Sequence, residues 1–196
     1  MVYKLDRDPY LDPKTGILSN LFDVADQVKL DQIEAEITVS IIATLDEHPI
    51  VGNFDLDHLM AIHKRLFSQI YSWAGKLRTV EITKDDTRFA PVAYLRQAAN
   101  EIFSELKSEE YLDNLDDQTY AKCFTHYYSE VNLLHPFREG NGRAERVLFS
   151  LLTKRSGRHV AWDIMDPDEA VRANIAAYHG DESHLEVLLE PLLIKG

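Results

Sequence analysis

The chain has 196 residues, 45 % of them hydrophobic, with 21 Lys and Arg against 33 Asp and Glu, for a formal net charge of −12. That length can bury a substantial core, and the acidic balance argues against direct nucleic-acid binding. A single cysteine excludes an internal disulfide, and no stretch reaches the ~18 apolar residues that a membrane span needs.

The opening MVYKLDRDPYLDPKTG holds several acids and no apolar core segment, so it does not read as a secretory signal. A bacterial-type cytoplasmic location is the expectation. Residues 1–20 read as an ordered but irregular lead, broken by Pro9, Pro13 and Gly16. Ile33, Ile37, Ile41 and Leu45 recur every four residues and predict a first helix, closed by Pro49 and Gly52. A second helix is predicted through Leu56, Leu59, Ile62, His63, Leu66, Phe67 and Ile70. Asp55 is its N-cap and Gly75 lies beyond its end. His58 and His63 share that helix at a spacing unsuited to joint metal binding, and read as structural.

The stretch RTVEITKDDTRFAP breaks the helical pattern. Val80 and Ile82 alternate with polar residues, and the alternation resumes at Thr87 and Phe89, which predicts a short β-hairpin within 78–90. An isolated hairpin is marginally stable, so it must lean on the body or serve a partner. A third helix is predicted over 91–108 and a fourth over 117–134. The fourth has Tyr120, Phe124, Tyr127, Val131 and Leu134 as its stripe and Cys123 as a small core residue beside it. A fifth starts just after Gly140 and ends at Lys154 and Arg155, with Gly157 beyond. Two further helical pieces cover 167–178 and 181–193. No repeat, low-complexity tract or Gly/Ser linker intervenes, so the reading is one all-α domain over 1–196.

The densest chemistry lies in HPFREGNGRAER, His135 to Arg146. Pro136 disfavours helix at His135, and Gly140 and Gly142 allow backbone shapes that a side chain would forbid. A glycine-bearing loop that feeds a helix N-terminus presents unpaired N–H groups to an anion. Arg143 and Arg146, spaced i, i+3, share a side of that helix, and two guanidinium forks suit a di- or triphosphate. Glu139 would repel phosphate unless a cation intervened, and Mg²⁺ commonly joins a carboxylate to phosphate oxygens. An unperturbed His135 would titrate near neutrality, as suits a general base. No GxxxxGK[ST], HExxH or CxxC motif competes.

HPFREGNGRAER resembles the Fic-domain motif HxFx[DE]GNGRxxR at every fixed position. DPYLDPKTGILSN, IHKRLFSQIYSWAGKLR, the hairpin and YHGDESHLEVLL also resemble parts of small bacterial Fic proteins, so the resemblance covers nearly the whole chain. It implies an all-α Fic fold, a helical bundle with one β-hairpin flap. It also implies transfer of AMP from ATP to a hydroxyl side chain of a target protein. In that frame His135 is the base, Phe137 anchors the loop, Glu139 holds Mg²⁺, and Gly140, Asn141 and Gly142 cradle the α- and β-phosphates. Arg138 also contacts the nucleotide, while Arg143 and Arg146 orient the outer phosphates. Lys84, Asp85 and Thr87 lie near the nucleotide on the flap, and residues 78–90 take up the target as an added strand.

The Doc-like branch, which phosphorylates its target, has lysine where this chain has Gly142, so glycine favours adenylylation. The alternatives are a Fic-fold enzyme moving another phosphate-containing group, and a non-catalytic nucleotide-binding interaction domain. Many Fic proteins restrain themselves with an [ST]xxxE[GN] helix, but no glutamate in this chain has Ser or Thr four residues before it. The resemblance therefore implies a bacterial toxin held by a separate small antitoxin that carries the inhibitory glutamate. Gyrase and topoisomerase IV are among the targets it implies.

Overall fold

The computed structural model describes residues 8–84 and 87–195. The lead is irregular but tied down. Leu11 bridges Leu18, Asp12 accepts from the N–H groups of Lys14 and Thr15, and Tyr10 reaches Thr79. Residues 1–7 of the predicted lead lie outside the described residues.

Helix α1 spans Gln27–Ala43, and its N-cap Asp26 accepts from Lys29 N–H. The buried face is Leu30, Glu34, Thr38 and Ile41 rather than the Ile33–Ile37–Ile41–Leu45 stripe, whose other members are only partly buried. The helix turns this way because Glu34 has buried polar partners, described below, and Thr38 satisfies its hydroxyl on the Glu34 carbonyl at 2.7 Å. Helix α2 spans Leu56–Phe67, with Asp55 as N-cap. It stops short of Ile70, which lies in the following turn, its carbonyl accepting from Leu21 N–H.

The flap is shorter than the alternation suggested. Among the described residues of the flap, β1 (Thr83–Lys84) pairs antiparallel with β2 (Thr87–Arg88) and no further. Val80 and Ile82 precede the ladder, and a buried arginine takes the Val80 carbonyl. A 3₁₀ turn at Val92–Tyr94 opens α3 (Leu95–Ser108), and α4 spans Asp117–Leu134 behind the N-cap Asp116. Helix α5 covers Asn141–Arg155.

Strand β3 (Arg158–Val160) pairs antiparallel with β4 (Leu193–Lys195), a contact the sequence pattern did not foretell. Between them lie α6 (Pro167–Tyr178) and α7 (Ser183–Leu189). The α7 helix ends before the predicted residue 193, because Pro191 cannot extend an α-helical ladder and the chain tightens into a 3₁₀ turn at Glu190–Leu192. The fold is mostly helical, as expected.

The core centres on α4. Tyr120, Phe124, Tyr127, Tyr128, Val131 and Leu134 are buried against α3, α5, α6 and α7, and α2 packs on α5. Cys123 is half-buried against this core, and burial pushes its thiol up. Among the described residues no helix is long and apolar enough to cross a membrane.

Candidate active site

Helix α4 ends at His135, which adopts a left-handed backbone (φ 44°, ψ 60°). That conformation is unfavourable for a residue with a side chain, and Pro136 forbids the helical alternative. The loop that follows is closed from within. Phe137 is fully buried, and the Asn141 side chain both accepts from its N–H and donates to its carbonyl, each at 2.8 Å.

His63 braces the same loop from α2. Its Nδ1 accepts from Gly75 N–H at 2.8 Å, so Nε2 carries the proton and donates to the Glu139 carbonyl at 2.8 Å. Its ring stacks on Phe137 with centroids 3.9 Å apart, and burial holds it down at about 4. The structural reading of His63 stands, with the active loop as the structure it supports. His58 caps the segment before α2, contacting the Ile50 carbonyl and Phe54 N–H.

The two loop glycines serve different ends. Gly140 has φ +82°, and a Cβ there would fall 2.4 Å from the Phe67 ring. Gly142 needs no special backbone. It lies in the first turn of α5, and a Cβ would meet nothing nearer than Arg146 Nη1 at 3.9 Å. Its contribution is open space in front of the helix. Within the described residues, the N–H groups of Asn141, Gly142 and Arg143 have no protein acceptor, which leaves an anion nest facing that space.

The nest opens on a cleft of about 1070 Å³. His135, Arg138, Glu139, Asn141, Gly142 and Arg146 line it together with Thr83 and Lys84 of the flap, Val39 and Ile42 of α1, Tyr128 and Asn132 of α4, and Asn174 of α6. Thr87 lines a smaller adjoining cavity with Lys84, Phe89 and His135, and Asp85 lies outside the described residues. Arg138 reaches the cleft while bonded to Asp8 at 2.8 Å.

Arg143 and Arg146 do not share a face in the way their spacing suggested. Arg146 lines the cleft and has no acidic partner within 4.0 Å among the described residues. Arg143 turns away to a separate cavity, pairs with buried Glu34 and lies over the Phe67 ring. Glu34 also accepts from the Tyr71 hydroxyl. No local pattern marks Glu34, because a glutamate within an apolar helix pattern reads as solvent-facing.

His135 is half-buried and stacks on Phe89 with centroids 3.8 Å apart. Its Nδ1 faces the Asn132 carbonyl at 3.3 Å, which can only accept, so Nδ1 carries the proton and Nε2 keeps the lone pair. Burial holds the ring down at about 4, helped by the charges of Arg78 and Lys84 and opposed by the Asn132 bond. The fold therefore moves the ring away from the near-neutral value it would have unperturbed. The ring is held neutral at pH 7 because its packed surroundings disfavour the charged form, although one edge lines the cleft.

Glu145 is a second buried acid that the sequence pattern did not flag. It is 2 % exposed, accepts from Asn132 Nδ2 at 3.2 Å, and leaves Oε1 without a partner. Burial pushes its carboxyl up to about 8, against the pull of Asn132 and Arg146, and Tyr128 is a further neighbour. A folded-state value above the unfolded one means that stability falls as pH rises toward 8. His63 and His135, with depressed values, act in the opposite sense below about 6.5. Chemical denaturation should therefore show a loss of roughly 1–2 kcal/mol between pH 6.5 and 8. The loss should disappear in Glu145→Gln.

Glu139 is the loop's only carboxylate in the cleft. Its Oε1 accepts from Gly140 N–H at 2.8 Å and lies 3.4 Å from Arg143. The other oxygen has no hydrogen bond among the described residues, so the side chain can offer one ligand toward the nest. That is the donor set Mg²⁺ uses when phosphates supply the remainder. A second group, His126, Glu130 and Glu182, sits outside the cleft, with His126 Nδ1 and Glu182 Oε2 3.5 Å apart.

The sequence model of the Fic/DOC family matches residues 53–153, more than half of the chain. The chain belongs to the Fic/DOC family. It is 38 % identical over 95 % of its length to protein adenylyltransferase VbhT of Bartonella schoenbuchensis, of which it spans 39 %. It is 35 % identical over 95 % of its length to the probable protein adenylyltransferase Fic of Escherichia coli, of which it spans 92 %. Such relatives class this Fic protein among the nucleotidyltransferases. The BepC protein of Bartonella tribocorum, solved with AMPPNP bound, superimposes with a TM-score of 0.88 at 25 % identity, over 95 % of this chain and 97 % of the other.

Proposed function

We propose that this Fic protein transfers AMP from ATP to a hydroxyl side chain of a protein, with His135 as base. The observation that carries the reading is the juxtaposition of the neutral, half-buried His135 ring with the free N–H groups at the start of α5, both facing one cleft. Asn141, Gly142 and Arg143 N–H would receive phosphate oxygens, and Arg146 and Arg138 would meet the outer phosphates. Arg143, held by Glu34, would contribute mainly by fixing the α5 N-terminus. Glu139 would hold Mg²⁺, which when bound neutralises phosphate charge.

In this scheme His135 Nε2 takes the proton of the target hydroxyl. The hydroxyl oxygen bonds to the α-phosphorus, the bond to the bridging oxygen breaks, and pyrophosphate leaves. The target segment would lie along the flap, where Lys84 and Thr87 flank the cavity next to His135. The open space before Gly142 supports AMP as the transferred group. It leaves room for the nucleotide phosphates to be placed for attack at the α-position, where a longer side chain would compete.

The test uses ATP labelled at either the α- or the γ-phosphate, with Mg²⁺ and a bacterial lysate. Labelling of protein from the α position alone supports the reading. Labelling from the γ position alone would replace it with phosphotransfer. Binding of ATP with no labelling would make the domain an interaction module.

Gly142→Ala tests the cradle separately. Because this glycine sits in a helical turn with room around it, alanine should leave stability unchanged or raise it by up to ~1 kcal/mol, while weakening MgATP binding by calorimetry. Equal MgATP affinity would remove Gly142 from the phosphate site.

We also infer that a separate bacterial antitoxin restrains the enzyme in the cytoplasm. Arg146 faces the cleft without an acidic partner among the described residues, which leaves its site open to an inhibitor's glutamate. Growth arrest on expression of the chain alone would support this. Harmless expression of active enzyme would count against it. Type II topoisomerases are the first targets to assay.

A further inference from the structure

Arg78 is the largest fully buried side chain of the fold, 1 % exposed, and it lies between the flap and the active loop. A buried guanidinium is normally matched by a carboxylate. Here the nearest acid, Glu81, is 3.8 Å away and 53 % exposed. The donors go to main-chain carbonyls of three segments. Nε bonds the His135 carbonyl at 2.8 Å, Nη1 bonds the Val80 carbonyl at 2.9 Å, and Nη2 bonds the Ala90 carbonyl. The Arg78 main-chain N–H adds a bond to the Pro136 carbonyl at 2.9 Å.

These partners have a common geometry. Val80 and Ala90 are the two roots of the flap, and His135 is the left-handed residue at the end of α4. Desolvating a cation to satisfy three carbonyls is costly, and an apolar residue would fill the same volume without that cost. What only a planar fork with several donors can do is hold three separate backbone segments at fixed mutual distances. Lysine could reach one or two of the carbonyls and would lack the planar spacing.

We propose that Arg78 is a positioning residue that latches both roots of the flap to the backbone of His135, so that the surface receiving the target and the base move as one unit. The coupling rests on His135 being the base. The latch itself is a statement about backbone order and is measured without catalysis.

The experiment compares the whole chain with Arg78→Lys and Arg78→Met, after thermal denaturation shows each variant to be folded. Amide hydrogen exchange is followed in peptides covering 78–90 and 131–137. The expected result is faster exchange in both segments together, most in Arg78→Met. Faster exchange in the flap with 131–137 unchanged would overturn the latch. In parallel, α-label transfer into lysate proteins should fall about 10²-fold in Arg78→Met, the scale of a small misplacement of reacting groups, with the Kd for MgATP within about threefold of wild type. Partial recovery of Arg78→Ala by added guanidinium ion, with none for His135→Ala, would mark the effect as positional. Transfer within threefold of wild type in folded Arg78→Met would overturn the coupling. If the wild-type chain itself transfers no α label, the reading of His135 as a base fails, and the exchange measurement still decides the latch.

Discussion

His135→Ala is expected to abolish α-phosphate transfer, lowering it by about 10²–10⁴-fold or to background, while MgATP still binds. The reasoning starts from the site's division of labour. Phosphates would be held by the α5 N–H groups and by Arg146 and Arg138, none of which touches the His135 ring in the hydrogen-bond network. His135 contributes one lone pair, on Nε2, because its Nδ1 proton is committed to the Asn132 carbonyl. Alanine deletes that lone pair and leaves the cradle in place. The pH profile carries the same signature. With the ring held down at about 4, His135 stays unprotonated down to acidic pH, which is what the proposed base requires. The acid limb of kcat/KM should lie well below the ordinary histidine value of about 6.5. A limb at 6.5 would show that packing does not depress the ring, and unchanged transfer in His135→Ala would remove it from the mechanism.

Gly140→Ala should be strongly disruptive for so small a substitution. Its backbone sits at φ +82°, where an L side chain is strained, and its Cβ would enter the Phe67 ring at 2.4 Å. Phe67 cannot retreat easily. It is fully buried, stacks near His63, and supports the Arg143 guanidinium at 4.7 Å. Strain of about 1–2 kcal/mol and overpacking of about 1–3 kcal/mol add to a loss of roughly 2–5 kcal/mol. Denaturant unfolding measures it. Since the same glycine is the N-cap of α5, MgATP binding should fall with stability, in contrast to Gly142→Ala, where the two should separate. A loss below ~1 kcal/mol would mean that the loop relaxes around the methyl group.

The extent of α4, α5 and α6 was readable because local signals agree there. Asp116 and Asp166 cap their helices, Pro136 and Gly140 bound the loop between α4 and α5, and the apolar positions recur at helical spacing. Where local signals are weak, sequence pattern and structure part. The isoleucine stripe expected of α1 gives way to a buried face that includes Glu34 and Thr38, and the partners of Glu34, Tyr71 and Arg143, lie far along the chain. The pairing of β3 with β4 joins segments separated by two helices, and no short-range pattern encodes it.

The same division runs through the site. By itself the sequence determined which residues stand together between His135 and Arg146, since a helix stop, a turn and a helix start are local properties of proline, glycine and capping side chains. The mostly helical class followed from periodicity in the same way. Only the tertiary structure decided what those residues face. It turned Arg143 onto Glu34 and left Arg146 in the cleft, packed His135 half-buried against Phe89, withdrew Glu145 from solvent, and placed Arg78 between the flap and His135. The physical reason is that burial, charge pairing and pKa depend on neighbours brought from distant parts of the chain, and those neighbours exist only once the core has closed.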